Sequence, residues 1–407
     1  MADAERRIVV ASGGTGGHFY PALAIARECR NRGRQVTLLL AGQHVADQLE
    51  VMRQEGLAAA QTRAVRLPRN AWQALLFVPR LVGAVWHARR QLQRLKPAVV
   101  LGMGSFAAVP VCLAGVSLRL PLVLHEANAW IGRANRFLAR WARVLATSLP
   151  VAPGQKCRCP QVRTGMPLRQ DLVRRAFEQA VPAGFLTGLG LVESLPVLLV
   201  FGGSQGAEAL NALMVVAAGR LGDAAGRFQV IHLTGTEDND LLLGAYAAAG
   251  IRASVRPADM HIENCYAAAD LVLCRAGAST LSELALFGKP AILVPFPHSA
   301  EDHQAVNART LADMGAAHRL PEVKATPAAV TTLLRDWLQD PAPWRQRGDT
   351  VRALACPDAA AAVVTLLEQI LAGHAPGSGR ASVLTPGRHP DVRQDASVTG
   401  PGGRNPA

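Results

Sequence analysis

The chain has 407 residues, half of them hydrophobic, and a formal net charge of +13 at pH 7. That length suits two domains with sizeable cores. Its seven cysteines are scattered, with one C-x-C (Cys157, Cys159) and no second pair nearby, which argues against a zinc site or a disulfide framework and for a reduced cytosolic protein. Aromatic residues make up only 5% and do not interleave with the basic ones as RNA-binding signatures do, so nucleic acid is not an expected partner.

The N-terminus, MADAERRIVVASGG, has no long apolar stretch ahead of a cleavage site, so no signal peptide is read. A short strand, RIVVA, runs into SGGTGGHFYPALAIA (Ser12 to Ala26), which reads as a glycine loop and then an amphipathic helix. Backbone N–H groups and the helix dipole converge at such an entrance and favour an anion. The dinucleotide pattern G-x-G-x-x-G fits poorly. Counted from Gly14, its third glycine falls on Phe19. The next strand, VTLLLAG (Val36 to Gly42), also lacks the terminal acid that would hold an adenine ribose. The loop is therefore expected to face a phosphate or a substrate. His18 lies at the helix entrance, whose dipole disfavours a second proton on the imidazole. A neutral imidazole there suits a general base, and a structural histidine is the alternative.

From Gly56 to Gln170 there are 17 Lys and Arg and a single acid, Glu126. An anionic membrane, a phosphorylated substrate or a solvated basic face each fits so one-sided a run. A salt bridge competes with any catalytic role for Glu126. Within this run, Trp72, Leu75, Leu76 and Phe77 precede Pro79, which is expected to interrupt or start a helix. Beyond it Arg80, Arg89, Arg90 and Arg94 flank Val82 and Trp86. Bulky apolar groups among cations suit an interfacial patch on anionic lipid; the alternative is that Trp72 and Phe77 are core. Arg133, Arg136, Arg140 and Arg143 recur at three and four, so a helix there would carry one cationic stripe. Pro97 to Leu118 is uncharged for 22 residues, but its interior GMGSF and Pro110 point to strand, glycine turn and helix, followed by the strand LPLVLHE.

After the irregular PVAPGQKCRCPQ, a domain boundary is expected near TGMPLR (Thr164 to Arg169). PVLLVFGGSQGAEALNALMV, from Pro196, repeats the plan of the opening stretch about 190 residues later. Further strands are FQVIHLTG, DLVLCRAG and PAILVPF. Apolar runs alternating with helical patterns give an α/β fold class of doubly wound parallel sheets. The expected division is 1–165, 166–345, a helical segment 346–372 crossing back to the first domain, and a disordered tail 373–407 rich in Gly, Pro, Ser and Arg. Asp238-Asn-Asp240 is a D-x-D only by its letters, and neither a metal nor another cofactor is expected.

In GGSQGA, backbone N–H groups and the Ser204 hydroxyl could receive a diphosphate, or the glycines could serve a tight turn. Thr280-Leu281-Ser282-Glu283 has the spacing of a capping box, so the carboxylate could simply close its own helix end.

Taken together and in order, GGTGGH, GMGSF, HEANAWIGRAN, GGSQGAEALN and DLVLCRAGASTLSELALFGKPAILVPFPHSAEDHQAVNA resemble the MurG family of UDP-N-acetylglucosamine transferases of peptidoglycan synthesis. The resemblance spans roughly residues 7 to 370. It implies the GT-B fold, two Rossmann-like domains facing a cleft, and inverting transfer of GlcNAc from UDP-GlcNAc to the C4 hydroxyl of lipid I. It also implies a peripheral place on the cytoplasmic face of the inner membrane, with room for cell-wall or division proteins as partners. By the same resemblance Thr15, Gly16, Gly17 and His18 face the acceptor, and His125 and Asn128 place acceptor or donor sugar. Ser204, Gln205 and Arg169 meet the diphosphate, and the backbone near Pro257 and Met260 lines the uracil pocket. Ala278, Ser279, Thr280, Leu281 and Ser282 lead to Glu283 on the ribose, and His303 and Gln304 read sugar hydroxyls. Ser105 and Phe106 stand where Gly-Tyr is usual, Ala127 replaces a common glutamine, and Met166 replaces an asparagine. The rival readings are another GT-B enzyme, such as a UDP-GlcNAc 2-epimerase or a diacylglycerol glycosyltransferase with a neutral acceptor, and a non-catalytic nucleotide-sugar-binding or membrane scaffold.

Overall fold

The computed structural model describes residues 6–13, 16–42, 44–65, 70–178, 180–203, 208–259, 261–297 and 299–374. Thr15, Ser204, Gln205, Met260 and the tail from 375 lie outside the described residues. Two parallel sheets organise the rest. The first holds β1 (Ile8–Gly13), β2 (Val36–Ala41), β3 (Ala58–Gln61), β4 (Val99–Gly102), β5 (Leu122–Glu126), β6 (Val144–Thr147) and β7 (Gln161–Arg163), in the order β3-β2-β1-β4-β5-β6-β7. The second holds β8 (Val197–Phe201), β9 (Gln229–Leu233), β10 (Arg252–Arg256), β11 (Leu271–Cys274), β12 (Ala291–Leu293) and β13 (His318–Arg319), in the order β10-β9-β8-β11-β12-β13. Register is set by the central strands: Ile8 lies opposite both Val36 and Val99, and Leu198 lies opposite Val230 and Leu271.

Helices cover both faces of each sheet, so the central strands are buried and largely apolar along their length rather than alternating. All six residues of β1 and all five of β8 are buried. Strand order reverses at β1/β4 in one sheet and at β8/β11 in the other, and crevices beyond the carboxyl ends of such strands are where doubly wound sheets bind ligands. Gly13 ends β1 against β2, where a Cβ would overlap the Ala41 carbonyl. Only glycine lets the two strand ends lie that close.

The chain returns to its first half at the end. Helix Ala359–Leu371 packs Val363, Val364, Leu367 and Ile370 into the core formed by Ile8, Val10, Phe19 and Leu38. Glu368 ties it down by accepting from Arg32 and Arg34, each at 2.9 Å. Pro97 to Leu118 forms β4, a short 3₁₀ turn and helix Val109–Ser117, and among the described residues no helix is long and apolar enough to cross a membrane.

Two local expectations are corrected. Pro79 neither starts nor interrupts a helix, since Ala71–Leu95 runs through it. An interior proline removes one backbone bond and crowds the preceding turn, and here it does so on an exposed face beside Leu75 and Val78. The cationic stripe does not form, because the helix spans only Arg133–Leu138. Arg133 and Arg136 pair with Glu301 of the second half at 3.6 and 3.3 Å, Arg140 stacks on Phe137 and Trp141, and Arg143 lies outside the helix, ahead of β6.

Candidate active site

A cavity of about 410 Å³ lies between the two sheets' carboxyl ends, lined from both halves. The first half contributes Gly16, Gly17, His18, Tyr20, Ala127 and Asn128; the second contributes Arg275, Gly277, Ala278, Ser279, Thr280, Glu283 and Gln304, and Met166 to Arg169 bridge them.

His18 sits in the first turn of helix Gly16–Asn31, with its carbonyl accepting from Ser12 Oγ at 3.0 Å, so the end of β1 fixes the start of the helix. Its ring is half-buried and its Nδ1 has no partner among the described residues. Burial, reinforced by the facing His303 of the second half, holds its pKa down at about 4. The imidazole is therefore neutral at neutral pH, free to accept a proton. His303 Nδ1 is likewise buried and unpartnered among the described residues, and its ring lies near Gly132 of the first half. His125 does not reach the cavity. It is 1% exposed, and Ser148 Oγ lies 3.1 Å from its Nε2, so the expectation that it places a sugar is corrected.

Glu126 also departs from expectation. Rather than a salt bridge, its buried carboxylate accepts from the Asn128 and Gly132 N–H groups at 3.1 and 3.0 Å and from the Asn128 and Asn135 side chains at 3.2 and 2.9 Å. Four donors balance one buried anion and fold the loop that brings Asn128 to the cavity.

On the opposite wall, helix Ala278–Phe287 points its N-terminus at the cavity. Gly277 is the N-cap and contributes no side-chain cap, so the N–H groups of Ala278, Ser279 and Thr280 lack intrahelical acceptors. The capping box is thereby excluded: the helix starts two residues before Thr280, which places Glu283 beyond the first turn. Glu283 instead accepts from Tyr266 Oη at 2.8 Å and borders the cavity. Burial raises its pKa, while the Tyr266 hydroxyl and Arg169 oppose that shift. Arg169 borders the cavity, lies 3.7 Å from Glu263 and is 35% exposed. Gln304 uses Oε1 to accept from the Ala276 and Phe296 N–H groups at 3.1 and 3.0 Å, which holds the wall of the cavity. Leu281 and Ser282 line a small void at the domain junction instead, Leu281 being fully buried and Ser282 Oγ donating to the Ala278 carbonyl. Pro257 does not line the cavity; its carbonyl accepts from Gly235 N–H at 2.8 Å.

The chain matches the glycosyltransferase family 28 N-terminal domain over residues 8–147 and the C-terminal domain over residues 197–361. It is 36% identical to the UDP-N-acetylglucosamine--N-acetylmuramyl-(pentapeptide) pyrophosphoryl-undecaprenol N-acetylglucosamine transferase of Syntrophotalea carbinolica, over 82% of this chain and 90% of that one. The transferase of the same name from Verminephrobacter eiseniae is 39% identical over 83% and 91%. The chain belongs to this transferase family. Among solved structures, the MurG of Acinetobacter baumannii superposes with a TM-score of 0.72 at 27% identity, covering 90% of this chain and 99% of that one. A UDP-GlcNAc 2-epimerase from Neisseria meningitidis, at 12% identity and a TM-score of 0.61, shares the fold alone.

Against the family pattern, Ser105 caps the turn after β4 by accepting from Ala107 N–H at 3.1 Å, and Phe106 packs its ring 6.3 Å from Phe77. Sequence reasoning missed Asn307 and Tyr266. Asn307 is fully buried, accepts from Ala129 N–H at 2.8 Å and donates to the Asn128 side chain at 3.1 Å, joining the two halves. Its spacing of three from Gln304 on one helix was the available signal. Tyr266 offered none, because its role depends on Glu283 being nearby.

Proposed function

We propose that this cleft transfers GlcNAc from UDP-GlcNAc to the C4 hydroxyl of the MurNAc sugar of lipid I, giving lipid II and UDP. One observation carries the reading: His18 and the uncapped helix start at Gly277–Thr280 line one cavity from opposite domains. The neutral His18 imidazole accepts the proton of the attacking hydroxyl. The hydroxyl oxygen forms its bond to C1 of GlcNAc from the face opposite the phosphate, and the C1–O bond breaks with its electron pair leaving on UDP. The free N–H groups of Ala278, Ser279 and Thr280, the dipole of their helix and Arg169 receive the diphosphate charge. Glu283 accepts from the ribose hydroxyls, while Asn128 and Gln304 border the donor sugar. Among the described residues no cluster of three or more His, Cys, Asp or Glu could hold a metal ion, and this scheme routes no step through one.

The units 1–165, 166–345 and 346–372 are the domain division we propose; within the last, helix Ala359–Leu371 docks on the first domain, while Val351 and Arg352 still pack against the second. The enzyme works as a peripheral protein on the cytoplasmic face of the inner membrane. Trp72, Leu75, Leu76 and Trp86 are 76%, 68%, 44% and 53% exposed on one long helix, which removes Trp72 from any core. Phe77 is half-buried on Phe106, and Arg90 stacks on Trp86 at 3.4 Å. An apolar face of this kind among cations suits anionic lipid.

The deciding experiment incubates the protein with UDP-GlcNAc and a lipid I analogue, with acceptor-free controls. Stoichiometric UDP and disaccharide-lipid support the reading. Isomerisation of UDP-GlcNAc without acceptor, or no product at all, overturns it.

A further inference from the structure

The loop between β6 and β7 holds a side chain that reaches the active-site loop from behind. Gln155 accepts from the Ile131 N–H at 2.6 Å through Oε1, and its Nε2 donates to the Ala129 carbonyl at 2.8 Å and the Ala152 carbonyl at 3.4 Å. An amide has one accepting and one donating end, so a single orientation satisfies an N–H and a carbonyl together. Gln155 thereby clamps the backbone on both sides of Trp130. It does not itself line the cavity.

The clamped segment is the one that meets the other domain. Ala129 N–H donates to Asn307 Oδ1 at 2.8 Å, and Asn307 Nδ2 donates to the Ala276 carbonyl and to Asn128 Oδ1, each at 3.1 Å. Ala276 N–H in turn donates to Gln304 Oε1 at 3.1 Å. Three side-chain amides, Gln155, Asn307 and Gln304, thus run from an outer loop of the first domain to the far wall of the cleft. Asn307 is fully buried, so its bonds have no competing water.

We propose that Gln155 is a positioning residue for the transfer reaction. By holding Ala129 and Ile131 it sets the register of the two domains across the cleft, and with it the distance between His18 and the donor sugar. This inference rests on the transferase reading above. Catalysis is sensitive to that distance, since a misplacement of about 1 Å costs up to roughly 10²-fold.

The test compares the parent with Gln155→Ala, Gln155→Glu, Asn307→Ala and the double variant Gln155→Ala/Asn307→Ala. Each is assayed for initial GlcNAc-transfer rate, UDP affinity by calorimetry and thermal melting. Gln155→Glu keeps the side-chain size and the acceptor for Ile131 but sets a carboxylate against the Ala129 carbonyl, so it carries the test if the alanine variant melts too low. The expected result is a kcat about tenfold lower for either Gln155 variant, with UDP affinity within about twofold of the parent, because UDP contacts the second domain. The double variant should be no slower than Asn307→Ala alone, since one relay is cut once. A kcat within twofold of the parent, an equal loss of UDP affinity, or multiplying effects in the double variant would overturn the proposal. A parent that transfers nothing would instead sink the transferase reading; the relay is then judged by melting, where additive effects of Gln155→Ala and Asn307→Ala would overturn it.

Discussion

Glu283→Gln separates binding from folding at one atom. In the fold, Glu283 is a half-buried carboxylate at the cavity edge whose only hydrogen-bond donor among the described residues is the Tyr266 hydroxyl at 2.8 Å. Burial raises its pKa, so the folded state holds its proton more tightly than the unfolded chain does. The sign follows: stability falls as pH rises from the unfolded carboxylate value through the raised folded one, and at neutral pH the ionised group costs stability. Glutamine keeps an acceptor for the fully buried Tyr266 and removes the charge, so Glu283→Gln should melt at the parent's temperature or above it at pH 7. Glu283→Ala should melt lower, because an orphaned buried hydroxyl costs about 1–3 kcal/mol. Binding moves the other way. A hydrogen bond to a charged acceptor contributes about 1.5–3 kcal/mol, so losing the carboxylate should weaken UDP roughly 10- to 100-fold. Calorimetry with UDP and a melting curve on the same Glu283→Gln sample give both numbers. Unchanged UDP affinity would remove Glu283 from the ribose, and a lower melting temperature with glutamine would refute the electrostatic account.

Three further outcomes are expected. His18→Ala should reduce turnover by roughly 10²–10⁴ while leaving UDP affinity intact, since general-base loss falls in that range; near-normal turnover would make the residue structural. His18 and His125 titrate at about 4 and His232 at about 3, below the ordinary 6.5, so the unfolded chain takes up protons first as pH falls. Stability is then fully present above pH 6.5 and lost progressively toward pH 3, with His125 alone contributing about 3 kcal/mol; urea unfolding that is flat across this window would contradict it. Changing Trp72, Leu75 and Trp86 to serine should lower flotation with anionic vesicles about tenfold or more without altering the melting temperature, because these side chains are largely exposed. Parent-like flotation would place the membrane contact elsewhere.

The sequence by itself determined what is local. Apolar runs buried on both faces announce central parallel strands, and β1, β2, β4, β5, β8, β9, β11 and β12 all fall on such runs. Glycine loops before helices announce the cleft-facing entrances, because only backbone without a Cβ fits where Gly13 meets Ala41. The remaining strands β3, β6, β7, β10 and β13 carry weaker patterns. Ala58–Gln61, for example, has no strong β former and is only half-buried at a sheet edge, so its pairing with β2 comes from position, not propensity. Tertiary structure alone decided what each polar side chain does. Glu283 meets Tyr266, Glu126 collects four donors from a loop instead of a cation, and Asn307 joins Ala129 across 178 residues of sequence. A buried carboxylate or amide is indifferent to which residue satisfies it, so its partner is fixed only when packing brings distant segments together and excludes water.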